Sequence, residues 1–472
     1  MNRHFTPLLP LIVVLAACAS PGGLAPQGKA IDPASLTATQ SLAAPSGEWP
    51  ADAWWSRYGD PQLDRLVSAA LHDSPTLALA RARLERARAQ AGMVASNDGL
   101  QVSANAEGAQ QRLSENYIFP PGVAGSYTSL NRVALDFSLE LDFWGRNRAA
   151  LDAAVGQARA AEAEAAGARL LLASAVTRAY LQFDRLHHLH AVADATLMQR
   201  EKLQELVRLR QKAGLETKAE VQQAMGSIAA ARAERSALDA QIVLVRNQLA
   251  ALTGQGPDAT LTLSPPTLHD SAATLPGALP ADLLGRRPDV AAQRWRVEAS
   301  ARDSDAARAG FYPNVNLNAF VGLQSLGLGN LFESGSRVLG VGPAFHLPVF
   351  DSGRLRANLA GRHADQDAAV AQYNATLVDA LRDVADQLAS WRGADAEGRD
   401  QQAALARYEE AWRLTEVRYK AGLASYTAVL AAETPLLAQR RLTAELRSRR
   451  LEASAGLARA LGGGYTPNTP SN

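Results

Sequence analysis

Apolar and polar positions switch between two periods along this chain, and the whole alternation is written twice. From Val133 to Phe143 every second residue is apolar, namely Val133, Leu135, Phe137, Leu139, Leu141 and Phe143, with Ala134, Asp136, Ser138, Glu140 and Asp142 between them. Strand side chains alternate faces, so this run predicts a β-strand with one apolar and one polar side. A weaker alternation precedes it, Val102, Ala104 and Ala106 set against Gln101, Ser103, Asn105 and Glu107. The odd positions from Val315 to Leu323 and from Leu339 to Val349 repeat the pair, at a fixed offset (341 − 133 = 208). The clearest run has the length of a tilted outer-membrane strand, about 9 to 11 residues. A half-buried sheet of a soluble protein shows the same local pattern. The second copy weighs toward the membrane, as do Tyr117, Phe119, Tyr127, Phe143, Trp144, Phe311, Tyr312, Phe332 and Phe350, which cluster at the strand ends where the aromatic girdles of a barrel lie.

Outside the strand pairs the period is helical. One tract begins at Asp60-Pro61, a capping residue followed by a first-turn proline, and runs to the turn signal Asn97-Asp98-Gly99. Another runs from Gly145 to about Gln211 without proline, interrupted only by Gly156 and Gly167. At ~1.5 Å per residue that is about 100 Å of helix, which no compact globule can hide. Its partner, Thr217 to Leu252, carries Leu238, Ile242, Val245, Leu249 and Leu252 at the spacings of a coiled-coil seam. The tract after Asp351 and the one from Ser425 to Leu461 repeat this layout. Between the paired helices stand "RQKAGLETKAEV" and "RYKAGLASYTAV", again 208 residues apart (422 − 214 = 208). Each predicts a tight reversal, with Gly214 and Gly422 free to adopt the left-handed conformation and Lys212 and Lys420 suited to a helix C-terminus.

The charge balance, Lys+Arg 48 against Asp+Glu 47, has no concentrated basic stripe, so nucleic acid is not an expected partner. The N-terminus "MNRHFTPLLPLIVVLAAC" reads as an export signal: a basic residue at Arg3, a short apolar run, then small residues before Cys18. Leu15-Ala16-Ala17-Cys18 resembles the lipobox of bacterial lipoproteins, which implies cleavage before Cys18 and acylation of its thiol; Ala19 then implies sorting to the outer membrane. Cys18 is the sole cysteine, so no disulfide framework or thiolate metal site is available. No later apolar run approaches the ~20 residues of a spanning helix, so a membrane crossing has to be made by strands closed into a barrel. Four strands cannot close one, the smallest membrane barrels having about eight. Several chains must therefore share it.

The expected organisation is a signal peptide over 1–17, a lipid-anchored tether over 18–60, a first repeat over 61–254, a linker over 255–280, a second repeat over 281–463 and a tail over 464–472. The fold class is an α+β membrane protein of long antiparallel helical hairpins plus four β-strands per chain.

With "WWSRYGDPQLDRLV", "LPADLLGRRPDVAAQRWRVEASARDSDAARAGFYPNVNL", the corners "DFWGR" and "PVFDSGR" and the two tips in view, the chain resembles the TolC-like outer-membrane factors, NodT and OprM branch, over nearly its whole length. That resemblance implies a homotrimer whose chains each give four strands to one twelve-stranded barrel and continue as a helical tunnel across the periplasm. It implies the exit duct of a tripartite efflux pump, passively exporting small molecules such as drugs, with an inner-membrane transporter and a periplasmic adaptor as partners, in a Gram-negative outer membrane. A leaning toward drug or aromatic-acid exporters comes from "HLPVFDSGRLRANL". Glu220 matches an acidic position lining the closed tip, where three-fold symmetry would make a carboxylate ring that resists full ionisation and attracts cations; a solvated helix-surface carboxylate is the alternative. Tyr419 matches a tyrosine tying the second hairpin inward. Ala424, Ala428 and Ala431 replace charged positions of relatives, which leaves a charged lock or apolar contact as alternatives for the closed tip. Lys212, Gly214, Leu215, Lys420, Gly422 and Leu423 match the surfaces that receive adaptor hairpins.

No enzyme is indicated. "LHHLH", with His187, His188 and His190, reads as a polar helix face rather than a metal site, and the Gly-x-Gly of "LGVGPA" lies inside a strand pattern with no helix after it. Beyond the lipid on Cys18, no cofactor is expected. The competing class is a periplasmic coiled-coil lipoprotein, structural or adaptor-like, without a pore.

Overall fold

The computed structural model describes residues 22–38, 40–116, 118–269, 274–276, 283–351 and 353–467. Cys18, its leader and Tyr117 lie outside the described residues. The helices are α1 (Pro61–Asp73), α2 (Pro75–Ala95), α3 (Arg146–Lys212), α4 (Lys218–Leu252), the one-turn α5 (Leu283–Arg286), α6 (Pro288–Ala309), α7 (Arg354–Lys420) and α8 (Tyr426–Ala460). The strands are β1 (Gln101–Arg112), β2 (Tyr127–Glu140), β3 (Asn314–Leu326) and β4 (Arg337–His346). The duplication is metrical: α3 and α7 both have 67 residues, α4 and α8 both have 35, and each pair starts 208 residues apart (354 − 146 = 208; 426 − 218 = 208).

The chain forms two compact units. One, drawn from the described residues of 22–30, 83–161 and 293–373, holds all four strands. They make a single antiparallel sheet in the order β1-β2-β3-β4, so β1 and β4 are edges without a partner among the described residues. Beside it, Phe311, Leu355 and Leu359 form a small core that Leu24 joins from the N-terminal segment. Gly156 and Ala299 meet closely, since a Cβ at Gly156 would stand 3.0 Å from that of Ala299. Small residues buy this close helix approach.

The other unit, drawn from the described residues of 31–82, 162–292 and 374–467, carries the larger core. Trp54, Trp55 and Tyr58 pack there with Leu63 and Val67 of α1, Val176, Tyr180, Phe183 and Leu186 of α3, and the Leu238, Ile242, Val245 and Leu249 seam of α4. The aromatic signature "WWSRYGDPQ" thus serves as a fastener. Asp60 caps α1 through the Gln62 amide at 2.9 Å, accepts from the Tyr180 hydroxyl at 2.7 Å and from the Thr267 amide at 2.9 Å. Tyr58 reaches Ser454 of α8 at 2.6 Å. Three donors thus converge on the Asp60 carboxylate, which would be costly to bury unpaired.

Three expectations are corrected. The first helical tract is two helices, because the proline at 75 drives Ser74 out of the helical region (ψ 127°). Leu141 and Phe143 fall outside β2, since Asp142 turns to accept the Arg148 amide at 2.9 Å and start α3. Leu347 and Val349 fall outside β4, where Pro348 removes a ladder donor. From residue 22 onward the N-terminal segment makes contacts within each unit: in the first the Gln27 and Gly28 amides bond Asp367, and in the second Ile31 bonds Asn374 and Ser46 bridges to Leu275.

Candidate functional site

Register decides what the sheet can do. Val102, Ala104 and Ala106 of β1 stand opposite Phe137, Leu135 and Val133 of β2, which stand opposite Ala319, Val321 and Leu323 of β3. Val341 and Leu339 of β4 continue the rows. A one-residue slip would have scattered these side chains over both faces. Instead they form one apolar face, and it is uncovered, with Leu339 79%, Val341 76% and Phe345 71% exposed. The opposite face is polar and internally bonded. Asp136 takes the Arg132 guanidinium at 2.6 Å and the Asn105 amide at 2.7 Å, Ser138 bonds Asn318 at 3.1 Å, and Asn314 bonds Glu140 at 2.7 Å. Apolar surface of this extent is left bare in water only at a cost of ~25 cal/mol per Å2, so the face is built for a hydrocarbon solvent.

The two hairpin turns are duplicates. Gly214 and Gly422 both have φ 77°, and each turn closes with the same bonds, Leu215 to the Arg210 carbonyl (2.9 Å) and Leu423 to the Arg418 carbonyl (2.8 Å). This is the Schellman closure, which only glycine enters without steric strain. Leu215 and Leu423 project outward, 66% and 70% exposed. Lys212 is exposed at the end of α3, and Lys420 pairs with Glu416 at 2.9 Å.

Beside the turns, the chemistry is not duplicated. Glu220 closes a capping box at the start of α4: its carboxylate accepts from the Thr217 amide at 2.9 Å and from the Thr217 hydroxyl, while Thr217 Oγ1 accepts from the Ala219 amide at 3.1 Å. The Thr217 hydroxyl first, then the backbone amides, hold the Glu220 carboxyl below its ordinary range. Tyr419 is fully buried, packed with Leu203 and Val207 of α3, Ala224 of α4, and Tyr426 and Val429 of α8. Arg210 lies over its ring at 4.9 Å, donates to its carbonyl at 3.2 Å and pairs with Glu216 at 3.3 Å. Burial, and then the Glu216 carboxylate, push the Tyr419 phenol up, so it stays protonated at any physiological pH.

A sequence profile described as "Outer membrane efflux protein" matches residues 66–255 and 279–463. The multidrug resistance outer membrane protein MdtP of Escherichia coli K12 is 34% identical over 451 residues, covering 92% of this chain and 91% of MdtP. The chain belongs to the outer membrane efflux protein family. Among solved structures, the outer membrane protein VceC of Vibrio cholerae superposes with a TM-score of 0.82 at 38% identity, over 88% of this chain and all of VceC (100%). The outer-membrane channel OprN does so with a TM-score of 0.84 at 28% identity, over 94% of this chain and 99% of OprN. The protein is thus an outer-membrane efflux channel subunit, of a family of channels and not of enzymes.

The efflux protein also holds polar groups that no periodicity announces. Glu433 of α8 is 1% exposed and accepts from Gln199 at 2.8 Å and from Arg200 at 3.1 and 3.0 Å, while Arg200 also donates to the Ser227 carbonyl at 2.9 Å. One buried carboxylate therefore joins α3, α4 and α8. Asp184 is likewise buried against Arg447, which also bonds the Leu268 carbonyl at 3.1 Å. Arg287, from the "GRRPDV" signature, pairs with Asp289 (2.7 Å) and Asp383 (3.2 Å) and donates to the Ala460 carbonyl at 2.8 Å; Arg459 completes the group on Asp383 at 2.7 Å. Burial alone would raise the Asp289 carboxyl, but Arg287 outweighs it and holds the group low.

The histidines divide their roles. His187 stacks edge-on against Phe183 at 4.5 Å, and burial, then Arg246, lower its basicity. His188 meets Arg447 at 2.8 Å, and His190 bridges Asp194 (3.3 Å) and Asp239 (3.0 Å) across α3 and α4. Among the described residues they do not converge on one point.

Proposed function

We propose that three copies of this protein form the exit duct of a tripartite efflux pump that passes small molecules such as drugs through the outer membrane. The observation that carries the reading is the four-stranded sheet with one bare apolar face and two open edges. Such a sheet leaves its edge N–H and C=O groups unpaired, which a bilayer does not tolerate, so it needs further strands on both sides. Three chains supply twelve, and the polar face around Asp136 and Asn318 then lines the lumen. Nothing in the chain has a nucleotide-binding pattern, so an inner-membrane transporter provides the energy and an adaptor joins the two.

In this reading Cys18 is acylated and anchors each chain. Leu215 and Leu423, exposed beside Gly214 and Gly422 and flanked by Lys212 and Lys420, receive the adaptor. Glu220 and Tyr419 belong to the periplasmic gate: Glu220 adds negative charge at the narrow end, and Tyr419 holds the second hairpin against the first through Arg210. The experiment is planar-bilayer recording on the purified full-length protein, with chemical crosslinking to count chains. A steady conductance from a crosslinked trimer, with cation preference reduced in Glu220→Gln, is expected. Electrical silence together with a crosslinked monomer or dimer would favour a poreless coiled-coil rod.

A further inference from the structure

Where strands give way to long helices, a cavity of about 370 Å3 is lined by Glu140, Trp144 and Arg146 after β2, by Tyr312 and Asn314 at the start of β3, and by Arg354 at the start of α7. Its size falls within the ~300–1,000 Å3 of small-ligand sites. The two repeats explain its charge. Arg146 and Arg354 are equivalent (354 − 146 = 208), each opening a 67-residue helix. Arg146 is offset by Glu140 at 3.4 Å, and Glu140 is further engaged by the Asn314 amide at 2.7 Å. The remaining carboxylate of the lining, Asp142, keeps its charge but is turned to the start of α3, where it accepts from the Arg148 backbone amide at 2.9 Å, and it forms no ion pair with Arg354 among the described residues. In the second repeat the place of Glu140 is taken by Pro348 (348 − 140 = 208). Arg354 is left without an ion pair or side-chain hydrogen bond among the described residues, at a helix N-terminus whose dipole already disfavours a cation. Asp351 already caps that terminus, accepting from the Gly353 and Leu355 amides at 3.1 and 2.8 Å, so the Arg354 guanidinium is the group that an anion would satisfy.

Two further features narrow what that anion is. Trp144 and Tyr312 stack with ring centroids 4.8 Å apart and planes 16° from parallel, and the indole is fixed by its N–H to the Pro313 carbonyl at 2.9 Å. A flat, partly exposed aromatic platform thus lines the same cavity as a guanidinium without an ion pair among the described residues. In addition, Asn314 Oδ1 is buried with no donor among the described residues. Glu140 and Asn314 belong to the polar face of the sheet, so the cavity opens on the side that lines the lumen; this step rests on the duct reading above.

We propose that this cavity is a transit subsite for small aromatic carboxylates: the ring lies on the Trp144–Tyr312 stack, the carboxylate bonds Arg354, and a ring hydroxyl or N–H, where present, donates to Asn314 Oδ1. One charge-assisted bond and one stacked ring make the site selective yet weak, as a conducting path requires.

The test uses detergent-solubilised full-length protein and ligand-observed saturation-transfer NMR with 1-naphthoate and its neutral counterpart 1-naphthamide. Saturable naphthoate binding is expected, weakened at least fivefold in Arg354→Gln and lost in Tyr312→Leu, while naphthamide binds weakly and to the same extent in wild type and Arg354→Gln. Equal binding of naphthoate to wild type and Arg354→Gln, or of naphthoate and naphthamide to wild type, overturns the proposal. Arg354 is exposed, so its variant carries the test even if Tyr312→Leu fails to assemble. Bilayer recording on wild type separates the two readings. A conducting protein without saturable naphthoate binding sinks the subsite alone, whereas saturable binding by a protein that never conducts sinks the duct and with it the transit role.

Discussion

The two repeats share a skeleton to the residue and differ in almost every polar contact built on it. Both have a 67-residue helix, a left-handed glycine and a 35-residue helix. Yet Tyr419 and Tyr426 of the second repeat are buried, where the first repeat has Gln211 and Lys218 (419 − 208 = 211; 426 − 208 = 218). Glu433 is buried in an ion pair, where the first repeat has Met225, 44% exposed. Backbone geometry was retained by requirements each copy meets alone: helix length, strand alternation, a glycine at the reversal. Side-chain chemistry diverged because the copies face each other, and a contact between them needs a donor on one side and an acceptor on the other. The second hairpin supplies aromatic and acidic groups, and the first supplies Arg200 and Arg210 to meet them.

The largest effect follows from that asymmetry. Removing one partner of a buried ion pair leaves the other uncompensated, at about 3–5 kcal/mol. Arg200→Ala strands Glu433, and thermal unfolding in detergent should show that loss. The equivalent substitution in the second repeat, Tyr408→Ala (408 − 200 = 208), removes a partly exposed ring and should cost well under half as much. Equal losses would mean the asymmetry carries no stability.

Next comes the sheet, where the repeats should behave alike. Val133 and Val341 are equivalent positions on the apolar face (341 − 133 = 208), 41% and 76% exposed. An arginine on a lipid-facing strand costs about 2–4 kcal/mol near the bilayer midplane. Val133→Arg and Val341→Arg should each reduce the membrane-assembled oligomer on semi-native gels by similar factors, and Ala134→Arg should act otherwise, through crowding on the polar face. An assembly indifferent to Val341→Arg would place that face in water.

The skeleton was legible because it follows from local rules. Period-two runs gave the four strands, the glycine tips gave the reversals, and Asp60-Pro61 gave a helix start. Strand ends shifted because Asp142 turned to cap α3 and Pro348 broke the ladder, both local events that a hydrophobic pattern does not register. Ser74 went unread as a break although Pro75 was its cause. The polar contacts were illegible for a different reason. Glu433 lies 233 residues from Arg200, and nothing in "AAETPLL" marks that carboxylate as buried. Glu220 was visible as an acid but not as the far half of a capping box, although Thr217 three residues earlier is the signal that would have shown it.

The tips themselves should be interchangeable. A non-glycine residue in the left-handed region costs about 1–2 kcal/mol, and no side chain crowds either site, the nearest atom to a Cβ at Gly422 being 3.9 Å away on Arg210. Gly214→Ala and Gly422→Ala should therefore lower the unfolding temperature equally. A much larger loss at one of them would reveal a packing role there that the open space denies.

The smallest effect separates charge from cap at α4. Thr217→Ala should cost about 1 kcal/mol of local stability, as loss of an N-cap does. Ser425→Ala should cost less, since Ser425 has no acidic partner: the place of Glu220 is taken by Ala428 (428 − 220 = 208), and its own bond to the Ala428 amide is long at 3.3 Å. Because Glu220 titrates below its ordinary value of 4.5, its share of the cap is fully present above that value and is lost as pH falls through the lower one. Amide exchange across residues 217–221, corrected for intrinsic rates, should therefore accelerate relative to 425–429 only on the acid side. Glu220→Gln keeps a side chain that can reach the Thr217 amide, so it should preserve protection while abolishing that pH dependence. If Glu220→Gln loosened the turn as much as Thr217→Ala does, the ionised carboxylate itself would be the cap, and one charge would serve both the fold and the proposed gate.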